Sequence, residues 1–306
     1  MQTVIMNRFD ISHCTLCPRK CGVDRTKAAG ICGGGNTIRA ARSALHFWEE
    51  PCISGNSGSG TIFFSGCSLR CCFCQNHVIS QENFGMELTT DDLAKCILDL
   101  QSKGANNINF VTGTHYVPWI IEAVQKAKSG LHIPIVWNSS GYETIETLKM
   151  LDGIVDIYLP DFKYLDKNTA ESYSQAEDYP EIAMAAIMEM YRQTGAFVIN
   201  SDGLMEKGLI VRHLVLPGHR HESMAILKRL SEMIPKENFL LSLMGQYTPP
   251  EEAVSYKNLN RKLTTMEYQS VLKCAEELGM QGFSQELSSA KTSYTPNFDL
   301  EGLLNE

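Results

Sequence analysis

What is missing narrows the chain first. No apolar run approaches the roughly 20 residues needed to span a bilayer, so no contact with the membrane interior is expected. The opening residues, Met-Gln-Thr-Val-Ile-Met-Asn-Arg-Phe-Asp, lack a basic stretch followed by an apolar one, so no secretory leader is expected. Positive charge is also short: 27 Lys and Arg stand against 35 Asp and Glu, for a net charge of −8. Proteins that follow nucleic-acid phosphates without sequence preference need the opposite balance. Neither an internal repeat nor a low-complexity linker breaks the chain. At 306 residues it can bury a full core, as one large domain or one domain with a small appendage.

Cysteine, by contrast, is plentiful. Eleven cysteines without a leader point to metal ligands and buried thiols in a reducing, cytoplasmic setting rather than to disulfides. The densest group is Cys-Ser-Leu-Arg-Cys-Cys-Phe-Cys at 67–74, which reads as C-x3-C-x2-C with Cys67, Cys71 and Cys74. Three thiolates on one tight loop can hold three corners of a 4Fe–4S cube, which usually takes four. The fourth iron is then open, the mark of a catalytic rather than a structural centre. A zinc site using Cys72 as fourth ligand fits poorly, because adjacent Cys71 and Cys72 point apart. The spacing resembles the radical S-adenosylmethionine (SAM) superfamily. That resemblance implies that SAM chelates the open iron and that an electron from the cluster cleaves it to a 5′-deoxyadenosyl radical. The radical then abstracts hydrogen from a substrate. It also implies that Phe73, just before the last cysteine, lies near the adenine, and that a one-electron donor such as flavodoxin or ferredoxin serves the cluster.

Residues 1–58 differ from the rest: they are rich in Cys, Gly and Arg and lack sustained periodicity. Cys14, Cys17, Cys21 and Cys32 form C-x2-C-x3-C-x10-C, followed by Gly33, Gly34 and Gly35. Clustered thiols beside flexible glycines suggest a second metal site, zinc or iron–sulfur, which alternatively only staples the fold. Residues 59–290 form the main domain and 291–306 a tail. Within the main domain strands are expected at 61–65, 108–111, 133–137, 155–159, 209–216 and 239–243. Helices are expected near 90–103, after Pro118, near 143–151, at 181–193, at 222–234 and at 265–278. A Ser201-Asp202-Gly203 turn permits a hairpin between 196–199 and the strand at 209–216. This alternation predicts an α/β fold with a parallel sheet. Six units suit a partial (βα)6 TIM-like barrel with a small Cys-rich N-terminal segment. Barrel catalytic groups sit at the C-terminal ends of strands, and the cysteine loop follows the first strand.

The same rule marks a rim at residues 112–116, 138–141, 160–163, 212–213, 217–219 and 244–247. Further motifs resemble a particular branch: Cys14-x2-Cys17-Pro-Arg-x-Cys21-Gly, Glu50-Pro-Cys-Ile-Ser-Gly55, Asn138-Ser-Ser-Gly-Tyr142, Leu159-Pro-Asp-Phe-Lys-Tyr164 and Val211-Arg-His-Leu-Val-Leu-Pro-Gly218. Together they look like the proteins related to pyruvate formate-lyase activating enzyme. By resemblance Cys67, Cys71 and Cys74 ligate the cluster, and Asn138, Ser139, Asp161, Lys163 and Arg212 contact SAM. The Gly-Gly-Glu usual in relatives is replaced by Thr112-Gly-Thr-His115. The substrate stays open between a glycyl-radical enzyme, in an oxidoreductase-type activation, and a small heterocycle such as a queuine-like deazapurine, in a C–N lyase reaction. A non-enzymatic electron carrier is the third reading. For a heterocycle, His115, Tyr116, Trp137, Gln246, Tyr247 and Glu286 are candidate pocket residues. Cys52, Cys96 and Cys274 are expected to be packing thiols, with Cys72 turned away from the cluster.

Overall fold

The computed structural model describes residues 9–250, 255–285 and 296–303. Strand β1 (Ile38–His46) pairs antiparallel with β2 (Ser59–Phe64) and with β3 (Met86–Leu88). From β2 the sheet runs parallel through β4 (Ile108–Val111), β5 (Ile135–Ser139), β6 (Ile157–Pro160), β8 (Met205–Leu214), β9 (Leu240–Met244) and β10 (Gly282–Ser284). The short β7 (Val198–Ile199) forms the expected hairpin with β8. The result is an open, barrel-like α/β sheet, with β10 as one more parallel strand than the six expected.

The connecting helices start where local chemistry supports them. Helix α3 (Thr90–Ser102) is closed by a capping box in which Thr89 and Asp92 exchange hydrogen bonds. It buries Leu93, Cys96, Ile97 and Leu100 against the sheet. Helix α9 (Thr265–Glu277) repeats the device with Thr264 and Glu267. Helix α4 (Val117–Ala127) carries Pro118 in its first turn, where the missing N–H costs nothing. Helix α7 (Tyr179–Thr194) stops at Gly195, whose φ of 68° suits glycine.

The longest elements that escaped the sequence pattern are a helix and a strand. Helix α6 (Lys167–Ser174) is polar, buries only Ala170, Tyr173 and Ser174, and is held by the Asp166 cap; its apolar stripe is too thin to show. Strand β1 lies inside the segment 1–58, where Arg39 and Arg42 and a bulge between Ala40 and Arg42 break its alternation. Its pairing with β2 carries the sheet across residue 58. Residues near the C-terminus also join it: the amides of Ser43 and Leu300 donate to the carbonyls of Glu301 and Ala41.

The barrel interior is layered. Side chains two residues apart on a strand share a face. At the lower level Val136, Ile157, Leu159, Ile210 and Leu240 form an apolar cluster, plugged by Cys52 and Ile53 of the short helix α1 (Pro51–Ser54). One step up, the same faces carry Asn138, Asp161, Arg212 and Ser242, which line an open cavity. That switch from apolar to polar places the site at the C-terminal ends of the strands.

Candidate active site

The cavity has a volume of about 870 Å³, and Cys67, Cys71, Phe73 and Cys74 lie in its wall. Their loop leaves β2 through Gly66, whose φ of 85° is left-handed and whose α-carbon packs on the Cys32 carbonyl. Each sulfur has a donor nearby. The Leu69 amide donates to Cys67 Sγ at 3.4 Å and the Ser174 hydroxyl to Cys71 Sγ at 3.0 Å, while Ser80 Oγ stands 3.3 Å from Cys74 Sγ. Burial pushes the Cys67 and Cys74 thiols upward, with a further push from neighbouring Cys71. Such thiols give up their protons when a metal takes their place. Cys72 is not in the wall; its amide donates to the Tyr173 carbonyl at 2.8 Å. Among the described residues no three His, Cys, Asp or Glu side chains converge to hold a single ion. A four-iron cube spreads its thiolates over separate irons, so three sulfurs facing one cavity fit a cluster.

The opposite wall is charged. Lys163 Nζ lies 2.5 Å from Asp161 Oδ2. Burial pulls the Lys163 ammonium down, but Asp161 outweighs it and holds the group above its usual range. Arg212 grips Glu50 through two bonds of 2.7 Å and also pairs with Glu49. Burial alone would raise the Glu50 carboxyl; Arg212 holds it below the usual carboxylate range. Glu49 also accepts from Asn109 and Asn138 at 3.0 and 3.4 Å. Of the neighbours in strand β8, Arg212 therefore faces the cavity, whereas His213 faces the helices. His213 donates from Nδ1 to the Phe162 carbonyl and accepts the Ser223 hydroxyl at Nε2. Ser139 reaches the cavity while its hydroxyl donates to Glu143 at 2.6 Å. Thr114 and Trp137 also donate to Glu143, and burial raises its pKa nonetheless. Thr112, at the end of β4, lines the cavity with a left-handed φ of 60°, a strained state for a β-branched residue.

All six expected SAM-side residues, Phe73, Asn138, Ser139, Asp161, Lys163 and Arg212, thus meet at one cavity with the three cysteines. Sequence reasoning missed Glu49, Glu50 as a charged group, and Glu143. The acidic pair before Pro51 was a visible signal; nothing local marks Glu143. Of the substrate candidates only Gln246 is in the wall. Tyr247 is buried beneath it, its hydroxyl donating to the Leu259 carbonyl at 2.6 Å. Trp137 points to the helix side and donates to Glu143 at 2.8 Å. His115 and Tyr116 are each 1% exposed and pack behind the cysteine loop. Aromatic and β-exit positions alone do not tell the cavity face from the helix face. Glu286 lies outside the described residues.

Burial lowers the His115 pKa to about 4 while Nε2–H donates to the Ser65 carbonyl at 2.9 Å. The unfolded chain takes up this proton near pH 6.5 and the folded chain only near 4, so the stabilisation exists above 6.5 and is lost as pH falls between them. Denaturant titrations should show about 2 kcal/mol lost between pH 7 and 5, and His115→Gln should flatten that slope. An unchanged slope in the variant would refute the assignment.

Cys14, Cys17 and Cys32 are buried, Cys21 is half-buried, and all eleven cysteines are free thiols. The amide of Cys14 donates to the Val23 carbonyl and that of Gly22 to the Cys14 carbonyl, which folds 14–23 into a knuckle. Burial pushes the Cys17 thiol up to about 12. The knuckle touches the first loop directly: the Cys67 amide donates to the Cys32 carbonyl at 3.0 Å and Arg19 Nε to the Ser68 carbonyl at 2.9 Å.

An open parallel barrel carries three cysteines at the exit of its first parallel strand, around a charged cavity, an arrangement with room for a metal–thiolate cluster. The chain belongs to the radical SAM superfamily, whose family model matches residues 61–230. Superfamily membership makes it an enzyme that uses a 4Fe–4S cluster and SAM. An uncharacterized protein of Methanocaldococcus jannaschii, MJ0674, is 31% identical over 279 residues, covering 88% of this chain and 75% of that protein. Among solved structures, SuiB of Streptococcus suis bound to its precursor peptide SuiA has a TM-score of 0.49 at 12% identity, covering 73% of this chain. Methylornithine synthase (PylB) has a TM-score of 0.48 at 13% identity, covering 79% of this chain and 65% of that one. The match takes in 48% of the SuiB chain, about half its length. The family model identifies the superfamily, not a branch within it. No helix among the described residues is long and apolar enough to cross a membrane.

Proposed function

We propose that this protein is an activating-enzyme-like member of the superfamily that abstracts hydrogen from a segment of a partner protein, such as a glycyl-radical enzyme. The observation that carries this reading is the lip of the cavity. Phe47 and Trp48 line it while being 51% and 60% exposed, and exposed aromatics beside a reactive site favour a macromolecular partner. Cys67, Cys71 and Cys74 would hold the cluster, and Asn138, Ser139, Asp161, Lys163 and Arg212 would receive SAM. When bound, the two supply the 5′-deoxyadenosyl radical that abstracts hydrogen. Phe73, packed edge-on against Tyr164, Tyr173 and Tyr247 at 6.2–6.4 Å, presents a fixed apolar surface that keeps water from the cysteines. An electron carrier such as flavodoxin or ferredoxin would serve the cluster, in a reducing compartment such as the cytoplasm. The N-terminal cysteines would hold a second centre, for which iron–sulfur fits better than zinc because no three described thiols converge on a single ion.

One observation favours a small polar heterocycle and lyase chemistry instead: the amides of Gln246 and Gln285 pair at 3.1 Å in the wall. The two separate by isotope transfer. Reduced, anaerobically reconstituted protein with SAM should carry deuterium from a glycine-labelled partner protein into 5′-deoxyadenosine. Transfer from a labelled heterocycle instead would favour the lyase, and an intact cluster that releases no 5′-deoxyadenosine would sink both.

A further inference from the structure

The N-terminal knuckle encloses a cation that no carboxylate among the described residues pairs with. Arg25 is 2% exposed. Its Nε donates to the Gly35 carbonyl at 2.7 Å and Nη1 to the His115 carbonyl at 2.5 Å, and the guanidinium lies 4.8 Å over Trp119. Nη2 is buried without a hydrogen-bond partner. No carboxylate pairs with this residue among the described residues. A lone buried cation costs several kcal/mol unless negative charge stands close by.

The orphaned atom lies on the side of Cys32. A methyl placed on Gly34 would lie 2.7 Å from Arg25 Nη2 and 3.3 Å from Cys32 Sγ, so cation and sulfur flank the same glycine. A methyl on Gly30 would lie 3.4 Å from Cys21 Sγ and 3.5 Å from Cys32 Sγ. The Gly34 amide donates to Cys32 Sγ at 3.4 Å, the bond that supports a metal-bound thiolate. Four neutral thiols offer the guanidinium no countercharge. Four thiolates around an oxidised four-iron cube leave a net negative charge, whereas no three of these thiols converge on a single ion as zinc would require.

We propose that Cys14, Cys17, Cys21 and Cys32 hold a metal–thiolate centre of net negative charge and that Arg25 is its buried counter-ion. This rests on reading the four cysteines as a metal site; it does not depend on the substrate. Arg25 acts through charge, so its removal weakens the centre without removing a ligand.

The test uses the full chain with Cys67, Cys71 and Cys74 replaced by Ala, which removes the barrel cluster. Purified without oxygen from medium containing zinc and iron, this protein should keep one metal centre per chain. Iron with sulfide supports the site; zinc alone would overturn the cluster at these four cysteines. Chelator competition then compares Arg25 with Arg25→Met and Arg25→Lys. Arg25→Met should lose metal at least about tenfold faster, and Arg25→Lys should recover most of the resistance. A triple variant without metal would overturn both the site and its counter-ion. Metal held equally well by the Met and Arg forms would overturn the counter-ion alone. Where Arg25→Met does not fold on its own, iron- and sulfide-dependent refolding of Arg25→Lys but not of Arg25→Met supports the proposal, and equal refolding defeats it.

Discussion

Cys67→Ala should abolish reductive cleavage of SAM, while Cys72→Ala should leave it within a few-fold of the parent. The two residues lie on one loop and differ in direction. Cys67 Sγ faces the cavity and takes the Leu69 amide; Cys72 is outside the wall and is tied by its own amide to Tyr173. Changing an outer partner of a metal ligand typically costs about 10–100-fold, so loss of the ligand itself should exceed about a hundredfold. The measurement is 5′-deoxyadenosine released by reduced protein, with iron and sulfide determined on the same sample. Equal activity of the two variants would mean that the cluster is held by a different set of thiols.

Arg212→Met should be the most destabilising single change in the cavity wall, at about 3–5 kcal/mol near neutral pH. It leaves Glu49 and Glu50 buried together with no cation between them. In the parent, Arg212 holds the Glu50 carboxyl low, so that pair contributes stability above the ordinary carboxylate range and loses it as pH falls. In the variant burial dominates and the sign reverses: the folded state prefers protonated Glu50, so the deficit shrinks as pH falls from 7 to 5. Adding Glu50→Gln should restore part of the loss, because a buried ion pair replaced on both sides costs far less than one broken on one side. Thermal melts of the single and double variants at both pH values give the answer. A deficit independent of pH and unrelieved by Glu50→Gln would show that the ion pair is not its source.

The elements most legible in the sequence were those in which one physical rule dominates. Capped amphipathic helices such as α3 and α9 were found within a residue or so of their limits, because Thr89 and Thr264 close them locally. Strand β10 is three residues long and includes Gly282, so it carries almost no pattern of its own and exists through its partner β9. The cysteine loop was legible because ligand spacing is a local property of the chain. The wall of the cavity was only half legible. Polar residues at strand exits flagged Asn138, Asp161 and Arg212, and the same rule flagged His115 and Tyr116, which the 3-10 turn at Thr114–Tyr116 carries under the loop.

By itself the sequence marked the spacing of the thiols, the alternation of six parallel strands with helices, and the position of the cysteines after the first parallel strand. These follow from spacing and periodicity, which act over a few residues. Only the tertiary structure decided which face each rim residue shows, that Glu49 and Glu50 close on Arg212 from 163 and 162 residues away, and that Arg25 lies buried beside Cys32. Those facts depend on partners brought together by the sheet, and burial turns a side chain that is ordinary in the sequence into a charge that must be balanced.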